Sequence, residues 1–186
     1  MQLDDQSIDE GFDHSLSSEW MNLFRAGLTD GLRLKVAGES MMPLLRPRDA
    51  VIVSQVKPNQ LICGDIIVRY ATDFVTHRYI RTARGMIYTK GDGRYYLDAP
   101  FDPGEIVGRV AIVERSGKQI NFKTKRWVLI NQLIGYTSSF LTRSEAGSLK
   151  QDTWVVTHVH RALFWLNKRL IWIILMVCAY KWMRQD

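Results

Sequence analysis

The sequence predicts a mainly β fold, a twisted and barrel-like sheet followed by helices at the C-terminal end. Seven short runs rich in β-branched and apolar residues lie between positions 32 and 122, and glycines and prolines separate them. After Lys125 the apolar residues follow helical spacing instead. A chain of 186 residues, 46% of them apolar, is long enough for one domain with a buried core.

The predicted strands are short and punctuated by turn residues. Gly85 and the pair Ser116-Gly117 fall between successive runs, which predicts β-hairpins at both places. Short strands joined by tight turns are typical of a mostly antiparallel sheet or barrel. The predicted strands are Leu32–Val36, Ala50–Val53, Asp65–Tyr70, Val75–Ile80, Met86–Thr89, Ile106–Glu114 and Gln119–Phe122.

Composition divides the chain into three parts. Residues 1–31 are predicted to form a mobile acidic arm with a short helix after Ser18, because they contain few large apolar side chains. Residues 32–125 hold the predicted sheet domain, and residues 126–186 form a helical C-terminal region. Residues 1–30 carry seven acids against the single base Arg25, so a net charge of +6 becomes about +12 on the remainder.

The C-terminal region is predicted to contain two helices joined by a polar linker at 142–152. The first helix is expected to pack on the sheet. Its predicted apolar face is formed by Leu129, Ile130, Leu133, Ile134 and Tyr136. The second helix is predicted over His158–Met183 with an uncharged, largely apolar stretch at 170–180. This stretch is shorter than the roughly 20 residues of a membrane span.

Aromatic and basic residues accompany that apolar stretch. Trp165, Trp172, Tyr180 and Trp182 beside Lys and Arg favour contact with a membrane surface. A helix docked in protein and a true span remain alternatives. We therefore expect a membrane-associated or cytoplasmic protein, without an N-terminal secretory signal or anchor.

Composition and spacing give no indication of a metal or cofactor. Cys63 and Cys178 lie far apart and form no C-x-x-C pair, and His158 and His160 lack a third ligand at suitable spacing. The chain beyond residue 30 is basic, and by charge alone it would suit an anionic membrane or a nucleic acid equally well. No nucleic acid partner is expected.

The segment Gly38-Glu39-Ser40-Met41-Met42-Pro43 is predicted to form a turn that exposes Ser40. A serine hydroxyl needs a nearby base to become a nucleophile, and His77 lies in the middle of a predicted strand. Backbone N–H groups of Ser40 and Met41 are expected to face an oxyanion. Met41 and Met42 are expected to line an apolar substrate cleft, with core packing left open for Met42, and a core role remains an alternative for His77.

Five stretches together are similar to the signal peptidase I family, within the wider group that also holds self-cleaving SOS repressors. They extend over about 80 residues, from Leu34 to Val113, in the order and spacing of the family. The matching stretches are Gly38-Glu39-Ser40-Met41-Met42-Pro43, Gly64-Asp65-Ile66-Ile67-Val68, Thr76-His77-Arg78, Thr89-Lys90-Gly91-Asp92 with Asp98, and Val107-Gly108-Arg109-Val110.

This resemblance implies a serine endopeptidase that removes a signal or leader-type peptide from a precursor protein. Many members place Lys where this chain has His77, so the chain resembles the archaeal and endoplasmic-reticulum enzymes, which use Ser, His and Asp. Asp98 matches that Asp, and Asp92 is the alternative acid. Lys90 is a weaker candidate for the base, and Asp65 is expected to cap a turn. A non-catalytic peptide-binding or membrane-docking module on the same fold is the alternative function.

Overall fold

The computed structural model describes residues 31–94, 96–139, the backbone of 140–143, and residues 162, 165–166 and 168–176. Within these ranges the chain forms seven strands and then helices, with 3-10 turns at Pro58–Gln60 and Pro103–Glu105. The strands are β1 Leu32–Lys35, β2 Ala50–Ser54, β3 Ile66–Tyr70, β4 Phe74–Ala83, β5 Met86–Lys90, β6 Ile106–Arg115 and β7 Lys118–Asn121, and helix α1 is Lys125–Arg143.

All seven strands belong to one antiparallel sheet, which confirms the mainly β prediction. Their order is β1-β2-β6-β3-β4-β5, and β7 pairs with β6 beside this path. The sheet is open rather than closed into a barrel, with β1 at one end and β5 at the other. The long strand β6 connects the two halves, because it pairs with β2, β3 and β7 along its length.

Both predicted hairpin turns are present. Arg84 and Gly85 connect β4 to β5 with φ values of 51° and 76°, and Ser116 and Gly117 connect β6 to β7 with φ values of 48° and 76°. Two successive left-handed residues give the turn whose twist matches the strands, and glycine adopts the second position without steric cost.

The main hydrophobic core lies between the sheet and the helices. Ile66 and Val68 of β3 contribute to it from one face of the sheet, and Ile67 projects from the other face into a smaller cluster with Tyr79 and Phe101. This alternation follows from the two-residue period of a strand. Helical contributions to the main core come from Ile130, Ile134, Ile171, Ile174 and Leu175.

Helix α1 buries only part of the face predicted for it. Ile130 and Ile134 are 5% and 0% exposed, whereas Leu129, Leu133 and Tyr136 are all exposed. The prediction that all five residues share the packed face is therefore wrong, because the buried side of α1 includes the polar Asn131 and Ser138 instead. A Cβ on Gly135 would lie 2.6 Å from the Gly64 Cα, so the helix approaches the start of β3 more closely than any side chain would permit.

A second helix follows, here called the C-terminal helix, with residues 162, 165–166 and 168–176 described as helical. Ile171 and Leu175 are fully buried in the main core. No helix among the described residues is long and apolar enough to cross a membrane. Residues 1–30 of the predicted arm, most of the linker at 142–152, His158, His160 and residues 177–186 lie outside the described residues.

Candidate active site

Ser40 lies in a tight turn between β1 and β2. The N–H of Met42 donates to the Glu39 carbonyl at 3.0 Å, and the N–H of Leu45 donates to the Met41 carbonyl at 3.1 Å. The side chains of Leu44 and Leu45 are fully buried in the main core and fix this turn to the sheet. The Ser40 side chain is thus held by apolar packing of the residues that follow it.

His77, at the centre of β4, joins Ser40 to Asp98. The Ser40 Oγ lies 2.9 Å from the His77 Nε2, and the His77 Nδ1 lies 2.6 Å from the Asp98 Oδ2. His77 is 5% exposed, so this chain of contacts is largely shielded from water. The structure therefore brings together the three residues that were predicted from the sequence as nucleophile, base and acid.

Asp98 is held by the last residues of β5. Its N–H donates to the Thr89 carbonyl at 2.9 Å, and the Thr89 hydroxyl donates to the Asp98 Oδ2 at 2.7 Å. Burial acts to raise the pKa of Asp98, but the hydrogen bond and charge of His77, the Thr89 hydroxyl and the charge of Arg69 outweigh it, so the pKa lies below its ordinary value. Asp98 is thereby kept ionised beside the imidazole.

Asp92, the alternative acid, contacts Arg78 instead of His77. Arg78 donates to both carboxylate oxygens of Asp92 at 2.7 Å, and both side chains are at most 1% exposed. Arg78 also donates to the Gly64 carbonyl at 2.7 Å and to the Asn131 Oδ1 at 3.1 Å. Asp92 therefore belongs to a buried ion pair that joins β4 to helix α1.

Lys90, the weaker candidate for the base, lies on the opposite face of the sheet from His77. Lys90 is the cross-strand partner of Arg78, and paired residues share a face, whereas adjacent residues of a strand alternate. Lys90 is buried at 3% exposure. The contact to the Ser40 hydroxyl comes from His77.

Two glycines let the 91–93 segment approach the nucleophile. The Gly93 N–H donates to the Ser40 carbonyl at 2.8 Å. A Cβ on Gly91 would lie 2.7 Å from that carbonyl oxygen and 3.1 Å from the His77 Nε2. Within the described part of the chain, the amides of Ser40 and Met41 donate to no backbone carbonyl.

A cleft of about 600 Å³ opens beside Ser40. The C-terminal helix forms one of its walls, and the turn around Ser40 and the 91–94 segment form the other. The lining residues are Glu39, Ser40, Met42, Pro43, Gly93, Arg94, Lys168 and Trp172. Met41 does not line the cleft, contrary to the prediction, because its side chain is 2% exposed and packs in the main core.

The remaining candidate residues have structural contacts. Asp65 accepts a hydrogen bond from the Ile62 N–H at 3.0 Å, as expected for a turn cap, and also pairs with Arg109 at 3.1 Å. Burial raises the pKa of the Cys63 thiol, although the charge of Arg78 opposes it, and this disfavours a thiolate. Among the described residues, no group of three or more His, Cys, Asp or Glu side chains is placed to hold a metal ion.

Several residues of the site were not singled out by sequence reasoning. Thr89 and Gly91 belong to a stretch quoted for the resemblance, but nothing in their pattern specifies contacts to Asp98 and Ser40. Asn131 lies more than 50 residues after Arg78, and no local pattern links the two. Lys168 and Trp172 line the cleft through packing of distant segments, which spacing alone does not indicate.

No known protein family model matches this chain, and no curated protein or solved structure matches it.

Proposed function

We propose that this protein is a serine endopeptidase, similar to signal peptidase I, that cleaves a signal or leader-type peptide from a precursor protein. The observation that carries the proposal is the continuous contact from the Ser40 Oγ through the His77 imidazole to Asp98, at 2.9 and 2.6 Å. A serine at hydrogen-bonding distance from a histidine that is itself oriented by a carboxylate is the arrangement of nucleophilic serine catalysis.

The contact with Asp98 determines which nitrogen of the His77 imidazole carries the proton. The ionised carboxylate accepts the Nδ1 proton of His77, which leaves Nε2 as an acceptor directed at the Ser40 hydroxyl. Nε2 takes the hydroxyl proton as Oγ forms a bond to the peptide carbonyl carbon. The negative carbonyl oxygen is stabilised by the amides of Ser40 and Met41.

Collapse of this tetrahedral intermediate breaks the peptide C–N bond. His77 returns the proton to the leaving nitrogen, and the N-terminal part of the substrate remains as an ester on Ser40. Water then attacks the ester carbon while Nε2 accepts its proton, and the bond to Oγ breaks as His77 returns the proton to it. The products are a free carboxylate, a free amine and the original Ser40.

The sheet and cleft support binding of an extended peptide. In the described part of the sheet, β1 has a strand partner on one side only, and it leads directly to the Ser40 turn. A peptide added beside β1 would gain backbone hydrogen bonds and place its side chains in the cleft. Met42 and Trp172 offer apolar contacts there, and Glu39, Arg94 and Lys168 offer charged ones.

The test is cleavage of a peptide library by the full chain, followed by mass spectrometry between pH 5 and 9. Wild type and the variants Ser40→Ala and His77→Ala are compared. Ser54→Ala is the matched control, because Ser54 lies on β2 and its hydroxyl contacts the Arg109 carbonyl at 3.4 Å rather than the site. We expect cleavage by wild type and Ser54→Ala, and none above background by the other two variants.

The non-catalytic alternative gives a different result in the same experiment. A peptide-binding module would bind library members without cleaving them, and Ser40→Ala would leave that binding unchanged. Absence of cleavage by wild type, in buffer and with lipid vesicles, would therefore argue against the peptidase proposal.

A further inference from the structure

The outer side of the C-terminal helix is unusually apolar. Trp165, Leu166, Leu170, Trp172, Ile173 and Met176 are between 41% and 63% exposed. The inner side of the same helix is apolar too, since Ile171, Ile174 and Leu175 are at most 8% exposed in the main core. An amphipathic surface helix normally turns polar residues to water, so a helix that is apolar on both sides indicates a further contact.

The exposed residues form one continuous face, here called the outer face. At 100° per residue, positions 165, 166, 169, 170, 172, 173 and 176 fall within about half of the helix circumference. Six of these seven residues are apolar, and Arg169 is the seventh. The Arg169 guanidinium lies over the Trp165 ring, 5.6 Å from its centroid, so the positive charge and the aromatic surface are presented together.

We propose that the outer face binds an anionic membrane surface, with the helix lying parallel to it. Tryptophan side chains beside Arg and Lys favour the headgroup region, and apolar side chains such as Ile173 and Met176 enter the acyl boundary. The charge is complementary to anionic lipid, because Arg169 lies on the outer face and Lys168 precedes it. Beyond residue 30 the chain carries a net charge of about +12, which adds long-range attraction.

The same helix forms a wall of the candidate active site. Trp172 belongs to the outer face and also lines the cleft, together with Lys168 one turn earlier. Binding through the outer face would therefore bring the cleft and Ser40 to the level of the lipid headgroups.

Co-sedimentation with vesicles tests the binding separately from catalysis. The full chain is mixed with sucrose-loaded vesicles of phosphatidylcholine alone or with one quarter phosphatidylglycerol, at low and high salt. We expect binding to the anionic vesicles, weakened by salt. The variant Ile173→Gln/Met176→Gln should lower the partition coefficient by about tenfold or more, because two apolar side chains no longer enter the bilayer.

The control is Leu129→Gln/Leu133→Gln, which removes comparable exposed apolar surface from helix α1. This variant should bind vesicles like wild type, and circular dichroism should show both variants folded, since all four side chains are exposed. Equal loss in both variants, or no binding of wild type to anionic vesicles, would overturn the proposal. So would a dimer that forms without lipid and dissociates in the Ile173→Gln/Met176→Gln variant, because a second copy would then occupy the outer face.

The membrane proposal and the peptidase proposal can fail independently. Vesicle binding that persists in Ser40→Ala, without cleavage by wild type, would retain the membrane inference and remove the enzyme. Cleavage of soluble peptides without vesicle binding would do the reverse.

Discussion

Two aspartates lie near His77 in the sequence of the site, and changing each to asparagine should affect a different property of the protein. Asp92→Asn and Asp98→Asn both remove one negative charge with almost no change in size. Asp92 contacts the buried Arg78, whereas Asp98 contacts the imidazole of His77. The structure therefore predicts a loss of stability from the first substitution and a loss of catalysis from the second.

For Asp92→Asn the expected cost is large. Arg78 is fully buried, and Asp92 accepts two of its hydrogen bonds at 2.7 Å. Removing one partner of a buried ion pair leaves an uncompensated charge and costs about 3–5 kcal/mol. A domain of this size has a free energy of unfolding of about 5–15 kcal/mol, so the variant should be much less stable yet still cleave peptide while folded.

For Asp98→Asn the expected stability loss is smaller, about 1–2 kcal/mol, because hydrogen bonds to a charged group are replaced by neutral ones. The catalytic loss should be about a thousandfold to ten-thousandfold in kcat, since an amide no longer fixes the Nδ1 tautomer or stabilises the imidazolium. The Ser40 and His77 side chains would remain in place, but Nε2 of the imidazole would no longer be held as an acceptor for the Ser40 proton.

Urea unfolding at pH 7 gives the free energies, and peptide cleavage at 15 °C gives kcat for the folded fraction. Wild-type kcat in Asp98→Asn, together with a loss of kcat at unchanged stability in Asp92→Asn, would contradict these roles. Asp92 would then be the acid that acts on His77.

Two glycines at close contacts and the ionised Asp98 should each have a measurable effect when replaced. Gly91→Ala places a Cβ 2.7 Å from the Ser40 carbonyl, and it should lower both kcat and stability, the latter by about 1–3 kcal/mol in urea unfolding. Gly135→Ala should destabilise by a similar amount, about 1–3 kcal/mol, because helix α1 must move away from Gly64; an unchanged unfolding midpoint would contradict the observed contact. Because the pKa of Asp98 is lowered in the folded state, its ionised carboxylate stabilises the fold at pH values above the ordinary aspartate pKa. This stabilisation is lost as pH falls through the lowered pKa. The free energy of unfolding, measured from pH 7 to pH 2, should therefore fall less steeply with acid in Asp98→Asn than in wild type.

The strands were predictable because their signals are local. Each predicted strand corresponds to an observed one, with ends that differ by a few residues. The turn at Ser116-Gly117 could be placed from two residues, because the backbone there must adopt positive φ. The sheet is open where a barrel-like form was expected, and closure depends on pairing between distant strands that no local run specifies.

The candidate site could be predicted in part for the same reason. Ser40, His77 and Asp98 were selected by spacing within a resemblance, and their side chains lie in contact. The choice between Asp98 and Asp92 depended on which carboxylate Arg78 would hold, and that required the register of β4 with β5 and the position of helix α1. The burial of Met41 depended on the direction in which the Ser40 turn faces the core.

Ser40 is the residue on which the proposed activity depends most directly, and the decisive measurement is kcat/KM of Ser40→Ala on a peptide that wild type cleaves. The variant should have the circular dichroism spectrum and unfolding midpoint of wild type. We expect its kcat/KM to be at least about ten-thousandfold below wild type, with only the small rate enhancement that binding and oxyanion stabilisation provide without a nucleophile. Retention of activity within about tenfold of wild type would contradict the central claim, because a nucleophile that forms an ester with the substrate cannot be replaced by a methyl group.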